Sequence, residues 1–174
     1  TVSRLLNEYL DAMARVAARF GGMVDKFMGD GVMILFPESD DRDRRDAALA
    51  CIRMALAMQH ELDRLKRGWR PLTSDLHLRM GIHSGYCMVG NFGAANRVDF
   101  TAVGGVVNLA SRLEGAAGRD EILVSAETLD LVSGSVRPGP RRRLSVKGIN
   151  RLVEAASIEG LASHRNGVTL RLLR

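Results

Sequence analysis

The 174-residue chain predicts an α+β sandwich, a mostly antiparallel sheet covered by helices, and three observations carry that prediction. Two long segments repeat their apolar residues at a spacing of three to four. Short apolar runs are bounded by glycine-rich turns. The segments follow one another as helix, hairpin, helix, strands, helix, strands, without the strict strand–helix alternation of an all-parallel sheet.

Residues 4–20 place Leu6, Leu10, Met13, Ala17 and Phe20 on one helical face. Gly21-Gly22 ends that helix, because glycine accepts the left-handed backbone of a helix stop. Residues 23–28 and 32–36 are apolar runs around Gly29-Asp30-Gly31, the pattern of a β-hairpin, and Pro37 closes the second strand. The charged stretch 38–46 reads as a solvated loop, and residues 46–66 as an Ala- and Met-rich helix with Met54 and Met58 in its core stripe. Trp69, Arg70 and Pro71 fall in the next loop. Residues 76–83 alternate as a strand, Gly85 breaks it, and residues 87–92 form a second strand or its return. Residues 98–103 make another strand, 106–116 a helix, 122–124 a strand and 126–132 a short helix. Late strands at 141–146 and 151–158 flank Lys147-Gly148. We read 1–160 as one domain and 161–174 as a basic, loosely held tail.

Composition narrows the function classes. Apolar residues at 46% and charged residues at 26% describe an ordinary globular domain with a real core. No apolar run approaches the roughly 18 residues that span a bilayer, so this segment is expected to make no membrane contact. The start, Thr1-Val2-Ser3-Arg4, is neither Met nor a signal peptide and reads as that of an excised or processed piece. Cys51 and Cys87 both lie in apolar runs and read as buried, reduced thiols of a cytoplasmic protein. His60, His77, His83 and His164 lack metal-ligand spacing, which speaks against zinc. The net charge of +5 suits nucleotide phosphates and equally suits a merely soluble protein.

Three motifs carry chemistry. Asp30, at a hairpin tip between glycines, is an approachable hard-oxygen ligand of the kind Mg²⁺ takes; the plain alternative is a turn aspartate satisfying local amides. Asn108 and Arg112 share one face of a helix that follows Gly104-Gly105, so an amide, a guanidinium and free backbone N–H groups are available to an anion. The plain alternative is a surface Arg112 paired with Glu114 and Asn108 near the helix cap. Lys147, before Gly148, is by itself a solvated lysine.

In order and with their gaps, the runs LLNEYLDAM…GGMVDKFMGDGVMILF, LRMGIHSGYCMVGNFG, RVDFTAVGGVVNLASRLE, ILVS and VKG resemble a class III adenylate/guanylate cyclase catalytic domain, of bacterial adenylate cyclase type, over residues 4–158. The resemblance implies a ferredoxin-like nucleotide cyclase fold and a head-to-tail homodimer with active sites at the interface. It implies conversion of ATP to 3′,5′-cyclic AMP and pyrophosphate by attack of the ribose 3′-OH on the α-phosphate, assisted by two Mg²⁺ or Mn²⁺ ions. On matching positions, Asp30 is a metal ligand, Lys26 and Thr101 read the purine, Asn108 and Arg112 orient the ribose and stabilise the transition state, and Lys147 meets the terminal phosphates. A glutamate in place of Lys26 would suit guanine instead, which is the reason to prefer ATP.

Three positions depart from the family pattern. The first strand, with its Phe-x-Asp metal ligand, is absent, so one aspartate ligand is missing and this chain by itself is expected to be weak or inactive. Gly105 replaces an acidic or amide residue, and Tyr86 stands where some relatives carry an arginine. The alternative function is a catalytically silent cyclase-homology module that binds nucleotide or dimerises to regulate a fused partner. A nucleic-acid binder built on Arg141-Arg142-Arg143 ranks last, because the paired exposed aromatics of a base-stacking sheet are lacking. No nucleic-acid partner is therefore expected.

Overall fold

The structure, a computed structural model, describes residues 2–69 and 75–163. Helix α1 (Val2–Arg19) buries Ala12, Met13, Val16 and Ala17 on its predicted apolar face. Its stop forms as expected. Gly21 has φ 73°, its N–H donates to Ala18 O at 3.1 Å, and the Gly22 N–H donates to Ala17 O at 2.9 Å. Strands β1 (Met23–Met28) and β2 (Gly31–Leu35) pair antiparallel through a two-residue turn, Gly29-Asp30, with Gly29 at φ 64°.

Helix α2 (Arg44–Trp69) starts earlier and ends later than its periodicity suggests. Asp43 caps it, accepting the Asp46 N–H at 2.8 Å. Trp69, expected in a loop, is instead the last helical residue. It is 8% exposed, and its indole N–H donates to Glu8 Oε2 at 3.1 Å, tying α2 to α1. Met54 and Met58 are buried against α1 as expected. Arg70 and Pro71, and the tail from 164 onward including His164, lie outside the described residues.

The remaining elements are β3 (Met80–Ile82), β4 (Met88–Ala94), β5 (Arg97–Val103), α3 (Gly105–Ala116), β6 (Ile122–Ser125), α4 (Ala126–Leu131), β7 (Val136–Pro138), β8 (Arg142–Leu144) and β9 (Val153–Leu161). The main sheet runs β3-β6-β9-β7, with β8 also on β9. Every pairing is antiparallel except β3–β6, which is parallel. Residues 87–92 do not return along 76–83. They belong to β4, which pairs with β5 as a separate hairpin. Strand β7 had no expected counterpart: it is three residues long, ends in proline and lacks alternation.

The strands of the main sheet sort their side chains by the two-residue pleat. Ile122 and Val124 of β6, with Ala156 and Ile158 of β9, pack under α2 and α4. Leu123, Val153 and Ala155 pack on the other face against Leu109 and Leu113 of α3. The sheet is thus covered by helices on both faces. The expected core thiol holds only for Cys51, which packs into the core; burial pushes it up to about 12. Cys87 is exposed, since it lies in the open segment between β3 and β4 rather than within a strand. No described helix is long and apolar enough to cross a membrane.

Candidate active site

The site begins with an irregularity in β1. Val24 pairs with Ile34 and Lys26 with Met33, so the register slips at Asp25. A bulge of this kind re-aims side chains that would otherwise point to opposite faces. The Asp25 side chain is 2% exposed and lies 3.4 Å from Lys26 Nζ. The Thr101 hydroxyl, from β5, donates to the same oxygen, Asp25 Oδ2, at 2.7 Å. Thr101 is 7% exposed. Lys26 and Thr101, far apart in sequence, therefore converge on one buried carboxylate.

Asp30 sits exposed in the β1–β2 turn, as its motif predicts. Its charge reaches back to α1: burial first, and then Asp30, push the Tyr9 phenol above its usual range. Asp30 lies four positions beyond Lys26, at most about 13 Å of extended backbone.

Helix α3 follows β5 through Gly104 at φ 137°. No side chain caps its N-terminus, so the first backbone N–H groups remain open to an anion. Asn108 is not a cap residue; its own N–H donates to Gly104 O at 3.3 Å. Leu109 and Leu113 bury the inner face, which leaves Asn108 and Arg112 exposed together on the outer one. The alternative, a surface Arg112 paired with Glu114, does not form, because Glu114 takes Arg79 at 2.6 Å. Among the described residues no hydrogen bond or ion pair holds the Arg112 side chain.

The height of α3 over the sheet depends on Gly81. A methyl group there would lie inside the contact distance of Ala110 O and Glu114 N, both backbone atoms of α3. Nothing in the sequence marks Gly81 off from other strand glycines, and it was missed as a functional position. So was Arg44, whose guanidinium stacks 4.8 Å over the Tyr86 ring and donates to its hydroxyl at 2.7 Å. A cation thus stands beside the position where some relatives carry arginine. Lys147 is exposed in the turn after β8, before Gly148 at φ 82°.

The Arg141–Arg143 cluster is absorbed by acids. Arg141 pairs with Asp130, Arg142 with Glu121 and Arg143 with Glu154. That leaves little of it for a nucleic-acid backbone.

Among the described residues no group of three or more His, Cys, Asp or Glu surrounds a point that an ion would occupy. Asp30 is a single accessible carboxylate, which fits one hard cation completed by phosphate oxygens and water. Asp25, the other carboxylate of the hairpin, is engaged by Thr101 and Lys26 and supplies no second ligand.

The fold and sequence agree with known proteins. The adenylate and guanylate cyclase catalytic domain family matches residues 1–159. Adenylate cyclase 1 of Rhizobium meliloti is 38% identical over 115 residues, which is 66% of this chain and 17% of that protein. The chain thus spans under a fifth of that relative's length. The crystal structure of the adenylyl cyclase CyaB from P. aeruginosa superposes with a TM-score of 0.86 at 40% identity, covering 94% of this chain and 83% of that one. The crystal structure of the guanylyl cyclase Cya2 superposes with a TM-score of 0.81 at 30% identity, covering 95% and 83%. With the motifs in their expected places on this fold, the chain belongs to the adenylate and guanylate cyclase catalytic domain family.

Proposed function

We propose that the protein containing this domain is an adenylate cyclase that works as a head-to-tail pair of copies, with ATP bound between them. The observation that carries the choice of ATP is the convergence of Lys26 and Thr101 on one spot. The lysine donates to adenine N1 and the hydroxyl meets the exocyclic amine. The relatives named adenylate cyclase support the same choice.

The other roles follow from position. Asn108 orients the ribose. Its 3′ oxygen forms the new bond to the α-phosphorus as the bond to the pyrophosphate oxygen breaks, and the hydroxyl proton is lost to solvent. Arg112, which no side chain among the described residues engages, opposes the charge that grows on the phosphorus centre. Lys147 and the open N-terminus of α3 attract the triphosphate. Asp30 would hold a divalent cation, which when bound neutralises the phosphates.

Pairing of two copies is supported by the β4–β5 hairpin. Met88 is 68% and Phe100 59% exposed, and Tyr86, Val89, Phe27 and Met28 add exposed apolar surface nearby in sequence or strand. A two-stranded ribbon with uncovered apolar side chains is marginal on its own, and a second copy covers it.

The test uses the full-length protein with ATP and Mn²⁺. Cyclic AMP and pyrophosphate are expected in equal amounts, at a specific activity that rises with protein concentration as dimers form. A protein that binds ATP with no turnover is instead the silent module.

A further inference from the structure

We infer that Asp25 is the specificity-positioning residue of this site: its carboxylate fixes which way the Thr101 hydroxyl points, and so makes threonine a reader of an amino group. The inference rests on the proposed adenylate cyclase reading and adds to it a residue that the family motifs do not supply.

A threonine hydroxyl has one hydrogen to donate and lone pairs to accept with. Left to rotate, it serves an amino group or a carbonyl equally, and so separates adenine from guanine poorly. Here that hydrogen is committed. It is donated to Asp25 Oδ2 at 2.7 Å, and the carboxylate, having no proton of its own, can only accept. What the hydroxyl presents to a ligand is then its lone pairs. Lone pairs accept from the 6-amino group of adenine and repel the 6-carbonyl of guanine. Lys26 contributes the complementary donor, and its Nζ lies 3.4 Å from the same Asp25 oxygen. One carboxylate thus orders an acceptor and a donor side by side.

Two features show that this arrangement is built rather than incidental. The Asp25 side chain is 2% exposed, whereas that of Lys26 is 43% exposed, so the carboxylate lies behind the pair and the lysine faces outward. Neighbouring strand residues normally point to opposite faces, and here the register slip at Asp25 lets both charged groups share one partner. Burying a carboxylate is costly unless it is hydrogen-bonded and paired, and Thr101 with Lys26 supplies both.

The experiment measures kcat/KM for ATP and for GTP in the full-length protein with Mn²⁺, for wild type, Asp25→Ala and Asp25→Asn. Wild type is expected to prefer ATP. In Asp25→Ala the ATP-to-GTP ratio is expected to fall at least tenfold, with kcat/KM for GTP unchanged or raised. General structural damage would lower both substrates together and leave the ratio intact. Asp25→Asn keeps the buried shape and is the variant to use if alanine unfolds the hairpin; its ratio is expected to fall at least fivefold. A ratio within twofold of wild type in a folded variant overturns the role of Asp25 and leaves the adenylate cyclase reading standing. A wild-type protein that prefers GTP, or turns over neither nucleotide, overturns both.

Discussion

Arg112 and Asn108 stand on the outer face of α3, one turn apart, with the acid nearest in sequence already taken by Arg79. Among the described residues nothing engages the Arg112 guanidinium, so it is ready for an incoming charge, and its removal should be felt in turnover more than in folding. Arg112→Ala is expected to lower kcat by roughly 10²–10³-fold with an unchanged melting temperature. Cyclic AMP formation near the wild-type rate would refute that role. The same residues show what a sequence discloses at this scale. Asn108 and Arg112 are legible because helical spacing alone puts them on one face. Asp25 is not, because its inward aim comes from a register slip that no residue pattern announces. The only sign of it is a second charge, next to Lys26, in a strand whose other residues are apolar.

At the scale of elements, the two long helices and the first hairpin are legible because their periodicities are strong and their stops carry chemistry: Gly21-Gly22 for α1 and Gly29-Asp30 for the hairpin turn. Pairing partners are not legible. Strand β3 is three residues long and joins β6 in parallel, a contact set by tertiary packing rather than by any local turn. Trp69 reads as loop because it precedes Arg70-Pro71, yet it is the last residue of α2 and its indole donates to Glu8. At Gly81 the α3 backbone rests directly on β3, with no room for a side chain. Gly81→Ala is expected to cost about 1–3 kcal/mol of stability by overpacking, and to displace Asn108 and Arg112 enough to reduce turnover. Thermal unfolding together with cyclic AMP assays checks this. An alanine variant with wild-type stability and turnover would show that α3 has room to move.

A hydrogen-bonded chain also links these elements. His83 Nδ1 lies 2.8 Å from the Ser125 hydroxyl, Ser125 meets Thr128 at 3.1 Å, and Thr128 donates to Ser84 at 2.9 Å. Burial holds His83 below its ordinary 6.5, against the pull of Glu127 and with that of Arg151. A depressed histidine favours the unprotonated fold, because the unfolded chain takes up the proton more readily. Its contribution is therefore complete above pH 6.5 and is lost as the pH falls below that value. Melting temperature is expected to decline over that interval in wild type and less steeply in His83→Gln. Parallel pH curves for the two proteins would remove His83 from the account.

The whole molecule is a main sheet covered by helices on both faces, with two further two-stranded hairpins that meet where Thr101 bonds Asp25. Met23, Phe27 and Met28 of the first hairpin and Met88, Val89, Phe92 and Phe100 of the second are exposed apolar residues, while the polar residues assigned to chemistry are divided among the β1–β2 hairpin, β5, α3 and the turn after β8. Among the described residues no hydrogen bond or ion pair joins Asp30 to Asn108, Arg112 or Lys147. A site completed between two copies accounts for both facts, with Asp30 coming from one copy and Arg112 from the other. The measurement that tests this most directly mixes two inactive full-length variants, Asp30→Ala and Arg112→Ala, and assays cyclic AMP formation from ATP. Half of the randomly mixed dimers would hold one intact site of two, so the mixture should regain about a quarter of wild-type activity. A mixture as inactive as its components, under conditions where mixed dimers are shown to form, would contradict a site shared between copies.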